Sequence, residues 1–304
     1  MLAIVIPYYK LTFFEQTLNS LANQTNIQFK VYIGDDASPE NSLELLERYN
    51  SKFEFIYHRF ETNLGSLSLV KQWERCLKLI NDEEWVMILG DDDVLEKDCV
   101  DSFYQNLVEV ENLESTVIRF SSSVIDSKGN FISNKYTHPK TEFAADFLFR
   151  KLKGGTRSSL SEYIFKKKSI QDIKFKDFPL AWNTDLLAVL EFSNWQTIYT
   201  INEAQVYFRL SEFNITNKKD NIIIKNNATF QFYNYLLSKK GLKLSKELVS
   251  MLFDRLEKTL LDNKKEIRHW LLITKLYVVK AQFKRYLNLI KKAIIMIVKK
   301  IKDE

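Results

Sequence analysis

Cysteine is nearly missing from this chain: Cys76 and Cys99 are the only two in 304 residues. They give no disulfide framework and no zinc spacing, and a reducing compartment is the simple reading. Histidine is as sparse. His58, His138 and His269 stand far apart and offer no ligand pair. Seven glycines and four prolines exclude a linker-rich or low-complexity chain. No apolar run reaches the roughly 18 residues of a spanning helix. The start, Met1-Leu-Ala-Ile-Val-Ile-Pro7, lacks the basic region of a signal peptide and reads as a first strand. No internal repeat is visible.

What is present is ordinary in bulk and uneven in detail. Hydrophobic residues make up 45% and charged residues 27%, as in soluble globular proteins, and the length allows one large domain or two smaller ones. The net charge of +5 hides an asymmetry: residues 264–304 hold twelve Lys or Arg against three acidic residues, a local +9, which leaves −4 for residues 1–263. A basic tail on a mildly acidic body points to an anionic partner surface.

Apolar runs and helical spacing alternate along the chain. Strands are expected at 2–9, 29–36, 53–60 and 85–89, and helices at 11–23, 66–80 and from Glu96 to Val110. Between them Ser38 reads as an N-cap with Pro39 at the first helical position and Leu43–Tyr49 as the continuation. That alternation predicts an α/β fold, a mostly parallel sheet with helices on both faces. Ser115–Asp126 reads as a further strand closed by a turn at Ser127-Lys-Gly-Asn, and short strands are expected at Glu162–Phe165 and Gln196–Ile201. Residues 133–160 read as a polar, irregular loop with a mobile point at Gly154-Gly155. From about Asn217 the pattern is helical, so the expected domains are 1–215 and a helical region over 216–304.

The most telling stretch is Trp85-Val-Met-Ile-Leu-Gly-Asp-Asp-Asp93, a buried run ending in three carboxylates. Like charges at a strand end resist burial, and a divalent metal carrying a phosphate offsets them; Mg²⁺ and Mn²⁺ prefer such oxygen ligands. The device occurs earlier as Val31-Tyr-Ile-Gly-Asp-Asp36. Two such strand ends predict one acidic cleft at the carboxyl edge of the sheet. Were strand geometry to persist, Asp91 and Asp93 would share a face and a metal. The competing reading makes Asp93 a cap on the following helix. Asp35 and Asp36 are candidates for hydrogen bonds to a nucleotide base or ribose, or for a turn that uses Asp and Ser locally.

The ordered set Ile6-Pro7-Tyr8-Tyr9, Gly34-Asp35-Asp36-Ala37-Ser38, Asn63-Leu-Gly65 and Leu89-Gly90-Asp91-Asp92-Asp93 resembles the inverting family 2 glycosyltransferases, over roughly the first 215 residues. The resemblance implies a GT-A fold, a nucleotide-diphospho-sugar donor (UDP-sugar above all) and Mn²⁺ or Mg²⁺. It implies nucleoside contacts for Pro7 and Tyr8, base or ribose contacts for Asp35 or Asp36, and ribose and metal contacts for Asp91 and Asp93 of a DxD motif, with Asp92 close by. Lys71, or Arg75 one turn on, matches the basic position after the Asn-x-Gly. Phe178-Pro-Leu-Ala-Trp-Asn-Thr-Asp185 resembles the acceptor segment, which makes Asp185 the implied catalytic base, with Asp177 second. A solvated or capping role for Asp185 is the rival. Val206-Tyr-Phe-Arg209-Leu-Ser-Glu-Phe-Asn214 resembles a closing segment in which Arg209 would hold diphosphate; Arg157 is similar, and a plain salt bridge is the alternative for both. Trp182 offers a ring for a sugar or for the core.

The implied acceptor is a glycan or lipid-linked oligosaccharide of a surface polysaccharide. In the tail, from Ile267 to Ile301, lysines lie on one side. Leu271, Leu272, Val278, Val279, Ile290, Ile294, Ile297 and Ile301 lie on the other. That is the composition of an interfacial helix on an anionic membrane, or of a helix packed on the body or a partner; nucleic acid fits less well. The expected location is cytoplasmic, with peripheral contact at the inner face of the membrane. Two other functions stay open: a nucleotide-sugar-binding or scaffold protein without turnover, and a nucleotidyltransferase, for which the first strand end lacks a glycine-rich phosphate loop.

Overall fold

The computed structural model describes residues 1–212, 214–218 and 220–303, with side chains as far as 296. Phe213 and the side chains of Ile297, Lys299, Lys300 and Ile301 lie outside the described residues. The chain forms two compact units, one of Met1–Asp177 with Thr184–Lys218, the other of Phe178–Asn183 with the chain from 219 on.

The first unit alternates as its apolar spacing predicts. It runs β1 (Leu2–Tyr8), α1 (Phe14–Ala22), β2 (Phe29–Asp35), α2 (Leu43–Glu47), β3 (Glu54–Arg59), α3 (Leu69–Leu77), β4 (Trp85–Ile88) and β5 (Val94–Leu95). There follow α4 (Cys99–Asn112), β6 (Val117–Ile125), β7 (Thr141–Phe143), α5 (Ala144–Leu152), β8 (Tyr163–Lys166), α6 (Lys167–Ile173), α7 (Thr184–Phe192) and β9 (Thr197–Arg209). Among the described residues nine strands join one sheet in the order β3-β2-β1-β4-β8-β6-β9-β5, with β7 on β9. β3, β2, β1 and β4 are mutually parallel, as are β6 and β9; β8 runs antiparallel to β4 and β6, and β5 and β7 antiparallel to β9. Strands buried on both faces read as continuous apolar runs, which is why β1 and β4 show no alternation. Leu2, Ile4, Ile6 and Tyr8 face one core with Phe14, Leu18 and Leu21 of α1. Each such side chain contributes about 1.5–3 kcal/mol on full burial. Because β1 lies between β2 and β4, the strand order reverses there, and a crevice opens at their carboxyl ends.

Four local expectations are corrected. Ser38 is not a helix cap: its N–H donates to Asp35 Oδ1 (2.8 Å) and its hydroxyl to the Tyr9 carbonyl (2.7 Å), so α2 waits until Leu43. The helix expected from Glu96 starts at Cys99, because the backbone N–H and the carboxylate of Glu96 both bond the backbone of Gln205 in β9. The stretch 133–160 is not a long loop but contains β7 and α5. Its polarity misleads at Glu142, which is buried and accepts from Arg119 (2.9 Å) and Arg150 (2.8 Å). Beside these guanidinium groups the buried His138 is held neutral, its pKa pushed down to about 2 by burial and then by Arg119. Last, α6 and α7 enter where no element is expected.

The second unit is helical: α8 (Ile222–Ser238), α9 (Lys246–Asp262), α10 (Ile267–Val279) and α11 (Phe283–Asp303). The turn at Pro179–Ala181 packs on α8, with the Phe178 and Phe232 rings 6.3 Å apart and Lys225 4.9 Å over Trp182. Buried Glu257 of α9 accepts from Tyr277 (2.6 Å) and Arg285 (2.6 Å), joining three helices. The tail is two helices rather than one amphipathic run, broken at Ala281 with φ 52°. Ile273, Leu276, Tyr277, Leu289 and Ala293 are buried, whereas Leu271, Leu272, Val278, Val279 and Ile294 are exposed.

Candidate active site

The acidic triplet follows β4 as a turn and not as an extension of the strand, so alternation does not pair Asp91 with Asp93. Each carboxylate is instead held by a different segment. Asp91 Oδ2 accepts from the backbone N–H groups of Tyr9 (2.8 Å) and Lys10 (2.9 Å), which closes the crevice between β1 and β4. Asp92 Oδ2 accepts from Asn214 Nδ2 (2.8 Å). Asp93 is buried; its Oδ1 accepts from the Arg209 N–H (2.9 Å) and its Oδ2 from the Ser161 hydroxyl (2.5 Å). Ser161 also accepts from the Gly90 N–H (3.1 Å), so one hydroxyl clamps both ends of the turn. A Cβ at position 90 would lie 2.9 Å from Asp92 Oδ1 and 3.1 Å from Asp93 Oδ2, so any side chain there would displace the two carboxylates. Asp93 caps no helix; α4 begins later, at Cys99.

Three carboxylates in one turn leave their charge poorly compensated. Burial pushes the pKa of Asp91 and of Asp93 up, and the neighbouring Asp92 adds to it. Burial raises Asp92 as well. Among the described residues no three His, Cys, Asp or Glu side chains form a ready-made metal cage. A cation that takes one or two carboxylates and completes its shell with water and substrate phosphate needs no such cage. The crowded, elevated carboxylates fit a hard divalent ion of that kind.

The other strand-end pair is built into the scaffold. Asp35 is fully buried and accepts from Ser38 N–H, Tyr57 hydroxyl (2.5 Å) and Arg59 Nη1 (2.7 Å). Asp36 accepts from the N–H groups of Leu64 (2.7 Å) and Gly65 (2.9 Å) and from Arg75, whose guanidinium lies 3.9 Å over Phe60. A Cβ at Gly65 would stand 2.5 Å from Asp36 Oδ2, which explains the glycine of Asn63-Leu-Gly65. Only the Ser38 bond is a local turn contact; the other partners of Asp35 and Asp36 come from segments more than twenty residues away. Lys71 is exposed in the first turn of α3, while Arg75 is the cation joined to the Asp36 loop.

Pro7 is half-buried, paired with Gly34. Tyr8 points into the core, its ring 4.6 Å from Phe14 and its hydroxyl on the Glu40 carbonyl (3.0 Å). Strand alternation dictates this, since Tyr8 follows Ile4 and Ile6 on the inner face. Tyr9 and Lys10, whose backbone N–H groups bond Asp91, are half-buried.

Arg209 is fully buried and turned toward protein. Its guanidinium donates to the carbonyls of Asp92 (2.8 Å) and Asp126 (2.9 Å) and to Gln16 Oε1 (2.5 Å), and lies 4.5 Å over Phe13. These contacts brace the triplet through the Asp92 carbonyl and occupy the guanidinium that the resemblance assigns to diphosphate. Arg157 bonds Glu162 (3.3 Å) and Ser122 (3.2 Å), and its charge favours the ionised form of both Asp93 and Asp185. Asp185, in the first turn of α7, has its pKa raised by burial and lowered in part by Lys151. Asp177 accepts from the Ser68 hydroxyl (2.8 Å). Sequence reasoning missed Ser161 and Asn214 as holders of the triplet, because partners more than sixty residues away leave no local spacing to read.

A parallel leaf with an acidic turn at its reversal point, extended by a mixed leaf, is the GT-A class of fold. Residues 3–163 match the family model for glycosyl transferase family 2. The chain belongs to that family and is a glycosyltransferase. The structure of residues 1–349 of S. aureus TarS in complex with UDP-GlcNAc is similar at a TM-score of 0.65, with 18% identity over 85% of this chain and 72% of that one. The same TarS fragment in complex with UDP gives a TM-score of 0.62 at 18% identity, covering 85% and 71%. S. aureus TarS itself gives 0.61 at 18% identity, covering 85% of this chain and 43% of that one. No curated protein sequence matches the chain.

Proposed function

We propose that this chain moves a sugar, with inversion, from a UDP-sugar to a hydroxyl of a glycan or lipid-linked oligosaccharide in surface-polysaccharide synthesis. The observation that carries this is the acidic turn at the β1/β4 crevice, whose three carboxylates are positioned by Tyr9, Lys10, Asn214, Ser161 and Arg209 yet share excess charge. The similar TarS fold with UDP-GlcNAc supports the choice of nucleotide.

In this reading Asp91 and Asp93 would hold Mn²⁺ or Mg²⁺, with Asp92 beside them, and the chemistry supplied there would be Lewis-acid stabilisation of the departing diphosphate. Tyr9 and Lys10 line the nucleotide side, where the resemblance points to Pro7, and Lys10 adds positive charge near Asp91. Asp185 accepts the proton of the attacking hydroxyl as general base; burial keeps its affinity for that proton above that of an ordinary carboxylate. Arg157 biases Asp185 and Asp93 alike toward the ionised form.

The second unit fits the membrane part of the proposal. Leu271, Val278, Val279, Phe283, Leu287 and Ile294 are exposed on α10 and α11, within a segment of net charge +9. Long aliphatics among cations suit an anionic leaflet. No helix among the described residues is long and apolar enough to cross a membrane.

The deciding experiment is Asp185→Asn with calorimetry of UDP and Mn²⁺ beside a transfer assay. Retained binding with transfer lost supports an enzyme with Asp185 as base. Full transfer by the variant overturns that assignment. Absence of UDP binding in the native chain overturns the donor reading.

A further inference from the structure

Behind the acidic turn, on the side Arg209 braces, lies a second cleft of about 640 Å³ that the transfer reaction does not use. Its floor is Val94 and Leu95 of β5 with Ile125 at the end of β6. One wall is a row of carboxamides, Gln16 and Asn19 on one face of α1 and Asn23 at its C-cap. The opposite wall is the turn after β6, where Phe131 is 60% exposed. The Phe131 ring meets Tyr207 of β9 edge-on at 5.2 Å and 84°, which braces it while leaving a flat apolar face outward.

The charges of the lining nearly cancel. Glu96 stands against Lys97, and the Arg209 guanidinium is already committed to Asp92, Asp126 and Gln16. An anion finds no excess cation here, and a cation no excess carboxylate. Arg209 holds the carbonyl oxygen of Gln16, and Tyr49 that of Asn19 (2.9 Å). Each amide is thereby fixed in orientation, with its NH₂ group left as donor. A fixed aromatic platform facing oriented amides and a carboxylate suits a ligand with an apolar C–H face and a rim of hydroxyls. A neutral pyranose has both.

We infer that this cleft is a second glycan-binding site, separate from the transfer centre, which takes a short stretch of uncharged oligosaccharide on Phe131. It goes beyond the proposed function, since it requires binding without reaction. A glycosyltransferase with such a site keeps hold of its glycan between encounters at the crevice, because a second contact raises the local concentration of the tethered chain.

The test uses the full chain and three neutral probes, cellotetraose, chitotetraose and maltotetraose, in saturation-transfer NMR. At least one is expected to bind, with saturation centred on one ring face. Phe131→Ala is expected to weaken it about tenfold or more, Phe131→Tyr to preserve it, and Asn23→Ala to weaken it in part. Phe131 and Asn23 are exposed, so these variants fold; an unchanged thermal shift with UDP and Mn²⁺ confirms it. No binding by any of the three probes overturns the inference, as does binding undiminished by Phe131→Ala. A wild-type dimer that Phe131→Ala splits overturns it too, since the face would then be covered by a second copy. Failure here leaves UDP binding intact, whereas failure of the donor reading leaves glycan binding intact.

Discussion

Replacing Arg209 by alanine separates two roles that the sequence left open, a diphosphate ligand and a strut. The structure makes it a strut. Its guanidinium donates to two backbone carbonyls at 2.8 and 2.9 Å and to the Gln16 amide, and it stacks on Phe13. Hydrogen bonds from a charged donor are worth about 1.5–3 kcal/mol each, and a buried carbonyl left without a donor costs about 1–3 kcal/mol. These terms overlap because they share one side chain, so a loss of about 3–5 kcal/mol is the reasonable sum. At roughly 2–4 °C per kcal/mol for a unit of this size, the first unit should melt about 6–20 °C below the native chain. Circular dichroism without ligand measures this directly. Arg209→Lys keeps the charge but not the fork, and should recover less than half of the loss. A variant that melts with the native protein while losing UDP affinity would refute the strut and restore the ligand.

Other outcomes follow from the same geometry. Ser161→Ala removes the one hydroxyl that bonds both Gly90 and Asp93, so Mn²⁺ affinity read by electron paramagnetic resonance should change while the fold survives, at a cost of about 1–2 kcal/mol. The raised pKa values of Asp91 and Asp93, each to about 7, favour the protonated native state; their contribution is full below the unfolded value near 4 and is lost as pH rises toward 7. Metal-free melting temperature, compared between the native chain and Asp92→Asn, should show this slope in the former and a weaker one in the latter. Equal slopes would contradict it. Mn²⁺ should accordingly stabilise the native chain more above neutrality than below. Vesicles rich in phosphatidylglycerol should retain the full chain at low salt and release it at high salt. Charge-reversing Lys284→Glu with Lys291→Glu should abolish that retention; equal binding to neutral phosphatidylcholine would argue against an electrostatic surface.

Much of the first unit was legible before any coordinates. The apolar runs of β1 and β4 are unbroken because both their faces are buried, and a run of that kind survives in any register. The acidic turns were visible because three adjacent carboxylates are too expensive to bury by accident. The stretch 133–160 failed for the opposite reason. Its Glu142 is buried, paired with Arg150 and with Arg119 of β6, and polarity at that position does not signal exposure. The tail read as one helix because 3.6-residue spacing runs through Ala281, where the backbone turns to a positive φ that spacing does not register.

Sequence alone determined the kinds of residue gathered at the sheet edge and the family they belong to, since chemistry of that sort is carried by short local strings. Only the tertiary structure decided what each member does. Tyr8 turns inward because its strand position faces the core, and Asp35 and Asp36 are absorbed by neighbouring loops. Arg209 reaches back to Asp92, Asp126 and Gln16, across more than a hundred residues of chain in two of the three cases. Side-chain direction and partner choice depend on which elements meet, and such meetings between distant segments leave no periodicity in the chain itself.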